Sequence, residues 1–210
     1  MQLFSGKMFD ISNLILWVPG LLLALTVHEY SHGRVAYALG DPTPKRAGRL
    51  TLNPISHLDV MGTIAIFLFH IGWAKPVPIN PYFFKNPRRD IVLVSIAGPA
   101  ANFFAALASG IILKILTMLG QYHSYLWLMF LYTMDINVIL MVFNLIPIPP
   151  LDGSKVLFNL ANMRESTIFT MERIGPPILF AVIFLGALSG FNILWIIIYP
   201  AVMAFHLFFA

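Results

Sequence analysis

The sequence contains no cysteine and few charged residues. Without cysteine, disulfides and thiolate metal ligands are excluded. Only 10% of the 210 residues are charged and 59% are hydrophobic, whereas soluble domains carry about 25% charged residues. The composition therefore excludes an ordinary water-soluble domain. It indicates several helices that span a bilayer, because each crossing needs about 20 apolar residues.

Long apolar runs predict where the chain crosses the membrane. They cover residues 11–39, 91–119 and 126–146, and the last run, 177–210, is long enough for two short crossings divided near 189–190 or for one tilted helix. We therefore expect an all-α polytopic membrane protein with a bundle of about four to five transmembrane helices. It would form a single domain, 1–210, with a catalytic core at about 11–160 and a C-terminal hydrophobic hairpin at about 174–210.

The stretch between the first two runs has a different character. Residues 49–52 alternate like a short strand before Asn53 and Pro54 turn the chain. Residues 60–74 are apolar but too short for a full crossing, which favours a re-entrant segment. Irregular backbone at membrane depth must be covered by protein or line a cavity. We therefore expect a short membrane-associated β-hairpin or re-entrant region after the first helix.

The distribution of basic residues predicts orientation. The formal net charge is +4, but lysine and arginine gather between the apolar runs, which indicates membrane topology and no nucleic-acid partner. The basic residues of these connections are Lys45, Arg46, Arg49, Lys75, Lys85, Arg88, Arg89, Lys155, Arg164 and Arg173. The connection 120–125 has none. We expect an integral protein of a prokaryotic plasma membrane, with the N-terminus outside.

The first apolar run contains an HExxH pattern, His28-Glu29-Tyr30-Ser31-His32. Helical positions four apart share a face, so His28 and His32 can bind one Zn²⁺ while Glu29 acts as the general base. An unpaired acid at the bilayer centre costs roughly 2.5–3.5 kcal/mol. The cluster therefore needs an ion, a partner or a water-filled pocket, and we interpret it as a metalloprotease site.

A catalytic zinc takes three protein ligands and keeps one open position, so a third ligand must lie elsewhere. Asp152 is our candidate, because it follows the break at Pro147, Pro149 and Pro150, where an irregular chain can turn a side chain into the bundle. Asp152 could instead cap the next helix. His57 is a competing ligand whose other role would be in a turn. We predict one zinc per chain.

Three segments together resemble the site-2 proteases, which are intramembrane zinc metalloproteases. These are residues 28–32, residues 98–102 with the sequence GPAAN, and residues 144–153 with the sequence NLIPIPPLDG. The likeness covers most of residues 14–160 and includes no PDZ or CBS module, so the chain is similar to a minimal version of the family.

The resemblance implies roles for particular residues. His28, His32 and Asp152 would hold zinc, with Glu29 as the general base, and a strand region at about 46–81 would hold an unwound substrate by edge pairing.

Two asparagines are candidates for substrate binding. Asn144 matches a family residue associated with substrate contact. Asn102 follows a Gly-Pro break, and its amide could donate to an oxyanion or join helices by hydrogen bonds. Asn137 lies on nearly the same helix face as Asn144, and we interpret it as a structural contact.

We expect hydrolysis of peptide bonds within or near transmembrane segments of other proteins, as in regulated intramembrane proteolysis or the clearance of signal-peptide remnants. The lipid bilayer and a transmembrane substrate would be the partners, and the sequence does not indicate an oligomeric state. A transporter of metal ions or protons could use the same buried cluster, but it predicts inverted repeats that the sequence lacks. A non-catalytic chaperone for membrane segments is a further alternative.

Overall fold

The computed structural model describes residues 14–69, 72–189 and 193–210, and its regular elements are helices. They are α1 Leu14–Ala38, α2 Thr43–Arg46, α3 Val60–Phe69, α4 Pro87–Met118, α5 Tyr125–Asn144, α6 Asp152–Leu160, α7 Glu165–Ser189 and α8 Ile193–Phe209, with 3₁₀ turns at Pro54–His57 and Pro81–Phe83. Within the described residues, α1, α4, α5 and most of α7 are long and apolar enough to cross a membrane. The predicted all-α membrane fold is confirmed. Residues 11–13 of the first predicted run lie outside the described residues.

Local capping explains where the two central helices begin. Pro87 opens α4 at a position where its missing N–H costs nothing, and the Asp90 carboxylate accepts a hydrogen bond from the Asn86 N–H at 3.1 Å. The Ser124 hydroxyl caps α5 by accepting from the Trp127 N–H at 3.1 Å. These caps put the helix starts within a few residues of the predicted boundaries.

Helices α1, α4 and α5 form the central bundle. Gly20 of α1 lies against Thr133 of α5, where an added methyl group would come within 2.9 Å of the Thr133 Cα atom. Ala24 is fully buried beside this contact. Small residues allow helix backbones to approach closely in a membrane, where packing drives association. The HExxH segment of α1 is therefore held against two other helices.

The last helix, α8, runs parallel to α4. The Phe205 ring lies 6.1 Å from the Phe103 ring, and further along both helices Phe209 packs against Gly110. Because the contacting residues increase in the same order, the two helices point the same way.

Helix α7 begins earlier than the predicted hairpin start at about 174. It runs from Glu165 to Ser189 through Pro176 and Pro177 without a break. Near its middle, Gly175 packs against Pro149, which follows α5. Interior prolines are tolerated in helices of membrane proteins, where neighbouring groups can satisfy the freed carbonyls.

The predicted β-hairpin is absent from the described residues. The strand-like contact found there is one isolated antiparallel bridge between Leu58 and Ala74. This bridge, together with the 2.9 Å hydrogen bond from the Lys75 N–H to the His57 carbonyl, brings the two ends of the α3 segment side by side. That arrangement agrees with the re-entrant alternative.

A side chain replaces the backbone pairing that was expected at residues 49–52. The buried Arg49 guanidinium donates to the carbonyls of Ser56, Lys75 and Pro76. A guanidinium carries five N–H donors, so it can join separate segments without a ladder. Proline cannot donate to a ladder at all, and Pro76 and Pro78 both lie in the returning segment.

Candidate metal centre

Two histidines of α1 and the first residue of α6 meet inside the bundle. The Nε2 atoms of His28 and His32 lie 3.0 Å apart, and the Asp152 Oδ2 atom lies 3.2 Å from the first and 3.0 Å from the second. All three residues are buried. A tetrahedral zinc with bonds of about 2.0 Å keeps its ligand atoms about 3.3 Å apart. The spacing therefore fits a single ion.

The chain reversal after α5 aims Asp152 at α1. The N-cap position of α6 is occupied by Leu151, and Asp152 is the first residue of the helix. Asp152 is therefore not the capping residue that was the alternative to a metal ligand. Gly153 lies against the backbone of Leu145, where no Cβ atom would fit. The tight reversal thus depends on glycine directly after the carboxylate.

Lys155 places a positive charge beside the Asp152 carboxylate. Burial raises the pKa of this carboxyl, and the Lys155 ammonium lowers it. The Lys155 Nζ atom lies 3.1 Å from Oδ1. The other oxygen, Oδ2, is the one that faces the histidines.

The ring nitrogen of His32 that faces away from the cluster, Nδ1, is also hydrogen-bonded. His32 Nδ1 lies 2.7 Å from the Val94 carbonyl, which can only accept, so this nitrogen carries the proton and Nε2 presents a lone pair. That lone pair faces a carboxylate oxygen at 3.0 Å. Two acceptors in contact are favourable only when a cation or proton lies between them. These ligand atoms therefore fit a metal ion.

Gly98 of α4 allows this close approach. A Cβ atom there would lie 2.7 Å from both Cε1 and Nε2 of His28, so any other residue would displace the imidazole. The sequence analysis identified Gly98 only as part of the GPAAN segment that resembles the site-2 proteases. The structure explains why that position needs glycine.

Glu29 lies beside the three-residue cluster and shares a cavity of about 520 Å³ with it. Its Oε2 atom accepts a 2.9 Å hydrogen bond from the Val77 N–H in the returning segment. The cavity is also lined by Asn144, Lys155 and Glu172. Its volume lies in the range of about 300–1,000 Å³ that is typical of ligand sites.

The two predicted substrate-binding asparagines lie in different places. Asn144 is half-buried, lines the cavity and uses one amide N–H in a 3.0 Å bond to the Leu140 carbonyl. Asn102 is fully buried, and its Nδ2 group donates to the Ala24 carbonyl at 3.0 Å and to the Asn137 Oδ1 atom at 2.8 Å. Both donors of Asn102 are in use, which favours the helix-joining interpretation over contact with an oxyanion.

His57 takes the turn role that was the alternative to metal binding. It is fully buried, and its Nε2 atom lies 2.8 Å from the Thr51 carbonyl.

One pair of ionisable side chains was missed in the sequence. The Nε2 atom of His206 in α8 lies 2.7 Å from the Asp135 carboxylate in α5. An acidic residue in the middle of an apolar run was the available signal, because such residues need partners.

The apolar helices and the convergent ligand atoms are features expected of a membrane-embedded metalloenzyme. The sequence model of Peptidase family M50 matches residues 113–189, a segment that includes Asn144 and Asp152. A protein of Bacillus subtilis, named "Putative zinc metalloprotease YwhC", is 41% identical over 180 residues, which are 83% of this chain and 82% of that protein.

Two further relatives carry similar names. The Mycobacterium tuberculosis protein "Putative zinc metalloprotease Rip2" is 29% identical over 81% of this chain and 65% of its own length. The Methanocaldococcus jannaschii protein "Putative zinc metalloprotease MJ0611" is 27% identical over 74% of this chain and 75% of its own length. No solved structure matches the chain.

The chain belongs to Peptidase family M50, and it is an integral-membrane zinc metallopeptidase. This membership confirms the resemblance to the site-2 proteases. It favours the protease interpretation over the transporter and the chaperone.

Proposed function

We propose that this enzyme hydrolyses peptide bonds within or near transmembrane segments of membrane proteins, with one zinc ion per chain held by His28, His32 and Asp152. The observation that carries the proposal is the 3.0–3.2 Å convergence of three buried ligand atoms inside a helix bundle. When bound, zinc polarises a carbonyl and lowers the pKa of water toward about 7.

Glu29 is the general base in this proposal. It lines the cavity next to the cluster, and its bond from the Val77 N–H orients the carboxylate. Glu29 takes the proton of the attacking water and delivers it to the leaving amine. The Val77 N–H holds Oε2, so we assign the proton transfer to Oε1.

The substrate enters as a locally unwound segment, because a helical peptide bond is shielded by its own hydrogen bonds. Asn144 lines the cavity and contacts the substrate through its amide. The N–H groups of residues 76–78 do not contribute to edge pairing, since Pro76 and Pro78 have none and that of Val77 is bonded to Glu29. Either a membrane-anchored regulatory protein or a signal-peptide remnant could supply such a segment.

The site lies below the cytoplasmic surface in the proposed orientation. Tyr30, at the centre of the motif, precedes the end of α1 at Ala38 by eight residues, which corresponds to about 12 Å of helix. Basic residues hold the α1–α4 connection on the cytoplasmic side. Because α8 runs parallel to α4, its C-terminal end points toward the side of the α4–α5 connection, which is the outer side in this orientation.

Cysteine labelling tests this orientation, and the chain has no cysteine of its own to interfere. A membrane-impermeant thiol reagent added to intact cells should label Gln121→Cys, whereas Lys45→Cys should react only after permeabilisation. Labelling of Lys45→Cys in intact cells, with protection of Gln121→Cys, would reverse the proposed orientation.

The catalytic proposal is tested with Glu29→Gln. Wild type and variant are purified in detergent, analysed for metal and incubated with a model transmembrane substrate. Both should bind about one zinc per chain, while cleavage by the variant should fall about 10²–10⁴-fold, the usual contribution of a general base. Equal cleavage by the two proteins would rule out Glu29 as the base, and a wild type without metal would rule out the zinc site.

A further inference from the structure

We propose that Asn102 and Asn137 are positioning residues that form a chain of two buried amides and hold His28 in the tautomer that presents Nε2 to the metal. The inference rests on the proposed zinc site. It concerns residues of α4 and α5 that do not line the cavity.

The chain starts at Asn137. Its Nδ2 group lies 2.8 Å from the Thr133 carbonyl. A carbonyl can only accept, so the amide nitrogen must face Thr133, and the amide oxygen must face α4. The backbone of α5 thereby sets the orientation of the first amide.

The orientation of Asn102 follows from two acceptors. Its Nδ2 group lies 3.0 Å from the Ala24 carbonyl and 2.8 Å from the Asn137 Oδ1 atom. Reversing the Asn102 amide would place its oxygen against both acceptors and lose two hydrogen bonds. The oxygen of Asn102 is therefore directed at His28.

The ring of His28 must match this oxygen. Its Nδ1 atom lies 2.6 Å from the Asn102 Oδ1 atom, so Nδ1 must carry the proton, and the lone pair of the neutral ring lies on Nε2. Asn102 and Asn137 are fully buried, so leaving either group unpaired would cost its desolvation. The proton on Nδ1 is thus determined by groups on two other helices.

The two zinc histidines are positioned by different means. His32 obtains its tautomer from the Val94 backbone carbonyl, which no substitution removes. His28 depends on a side chain, Asn102, and through it on Asn137. The His28 half of the site can therefore be altered by mutation without changing a ligand or the cavity wall.

Zinc affinity is the first test, measured by chelator competition on purified protein. Asn102→Leu should weaken zinc binding about 10–100-fold, as the loss of a hydrogen-bond partner behind a ligand does. Asn137→Leu should weaken it about 2–10-fold, the equivalent of one neutral hydrogen bond. Asp135→Ala is the matched control: it removes a buried interhelical contact with His206 and should leave zinc affinity unchanged.

The ring tautomer is the second test and needs no metal or activity. Nitrogen NMR of metal-free protein with labelled histidine, with His28 assigned by comparison with His28→Ala, should show Nδ1–H in the wild type and a mixture of tautomers in Asn102→Leu. Asn102→Asp retains an acceptor for Nδ1, so its zinc affinity should lie closer to that of the wild type than Asn102→Leu does.

Two results would overturn the proposal. One is a folded Asn102→Leu protein that binds zinc as tightly as the wild type, and the other is an unchanged His28 tautomer in that variant. If the wild type shows the Nδ1–H tautomer and binds zinc but cleaves nothing, the proposed protease function fails while this positioning role stands.

Discussion

Two groups of ionisable side chains lie in the same apolar bundle, and they differ in how donors and acceptors are matched. In the first, the Nε2 atoms of His28 and His32 and a carboxylate oxygen of Asp152 converge on one point. In the second, His206 of α8 faces the Asp135 carboxylate of α5 at 2.7 Å. The pair matches one donor with one acceptor, whereas the cluster gathers acceptors around a shared centre.

This difference shows what distinguishes an ion site from a helix contact inside a membrane. Burial of ionisable groups is common to both, so burial alone does not identify the site. The cluster also lines a cavity that contains Glu29, whereas neither member of the pair lines that cavity. An excess of acceptors beside a cavity is the feature that fits a cation.

Removing a member of the cluster should have the largest effect. Asp152→Ala takes away one of the three ligand atoms, so zinc affinity should fall by more than the roughly 10–100-fold expected for a partner behind a ligand, and cleavage should be lost. Metal analysis after dialysis against a chelator provides the measurement. Asp135→Ala serves as the control and should retain its zinc. Unchanged zinc content in Asp152→Ala would remove Asp152 from the ligand set.

Crowding the cluster should have an intermediate effect. In Gly98→Ala the new methyl group would clash with the Nε2 atom of His32 and lie 2.7 Å from two ring atoms of His28, so the imidazoles must move and zinc should bind more weakly. Gly110→Ala is a control on the same helix, because its methyl group would meet the Phe209 ring at 2.7 Å. It should lower thermal stability and leave zinc affinity intact. If both variants lost zinc equally, general loosening of α4 would explain the result.

Weakening the pair should have the smallest effect. Asp135→Asn keeps an acceptor for His206 and changes only the charge, so the free energy of unfolding should shift by about 0.6 kcal/mol, the average for a polar contact between membrane helices. Thermal unfolding in detergent measures the shift, and chelator competition should show wild-type zinc affinity. A marked loss of zinc in this variant would contradict the separation of the two groups.

The course of the helices was largely predictable from the sequence. The central runs were expected at 91–119 and 126–146, and the helices run from Pro87 to Met118 and from Tyr125 to Asn144. Hydropathy predicts such elements because a bilayer demands a continuous apolar stretch with all backbone groups bonded within it. The prediction of a strand at residues 49–52 was wrong. Alternation of polar and apolar residues is a local pattern, and the Arg49 side chain instead donates to carbonyls elsewhere in the chain.

The sequence by itself determined the helical class and the shared face of His28 and His32, because the helical period acts between residues only four positions apart. It also indicated Asp152 as a candidate, through the break that precedes it. Only the tertiary structure decided that Asn102 faces His28, that α8 runs parallel to α4, and that His206 pairs with Asp135. Those contacts join residues 71 or more positions apart, and no local periodicity specifies which helix faces another.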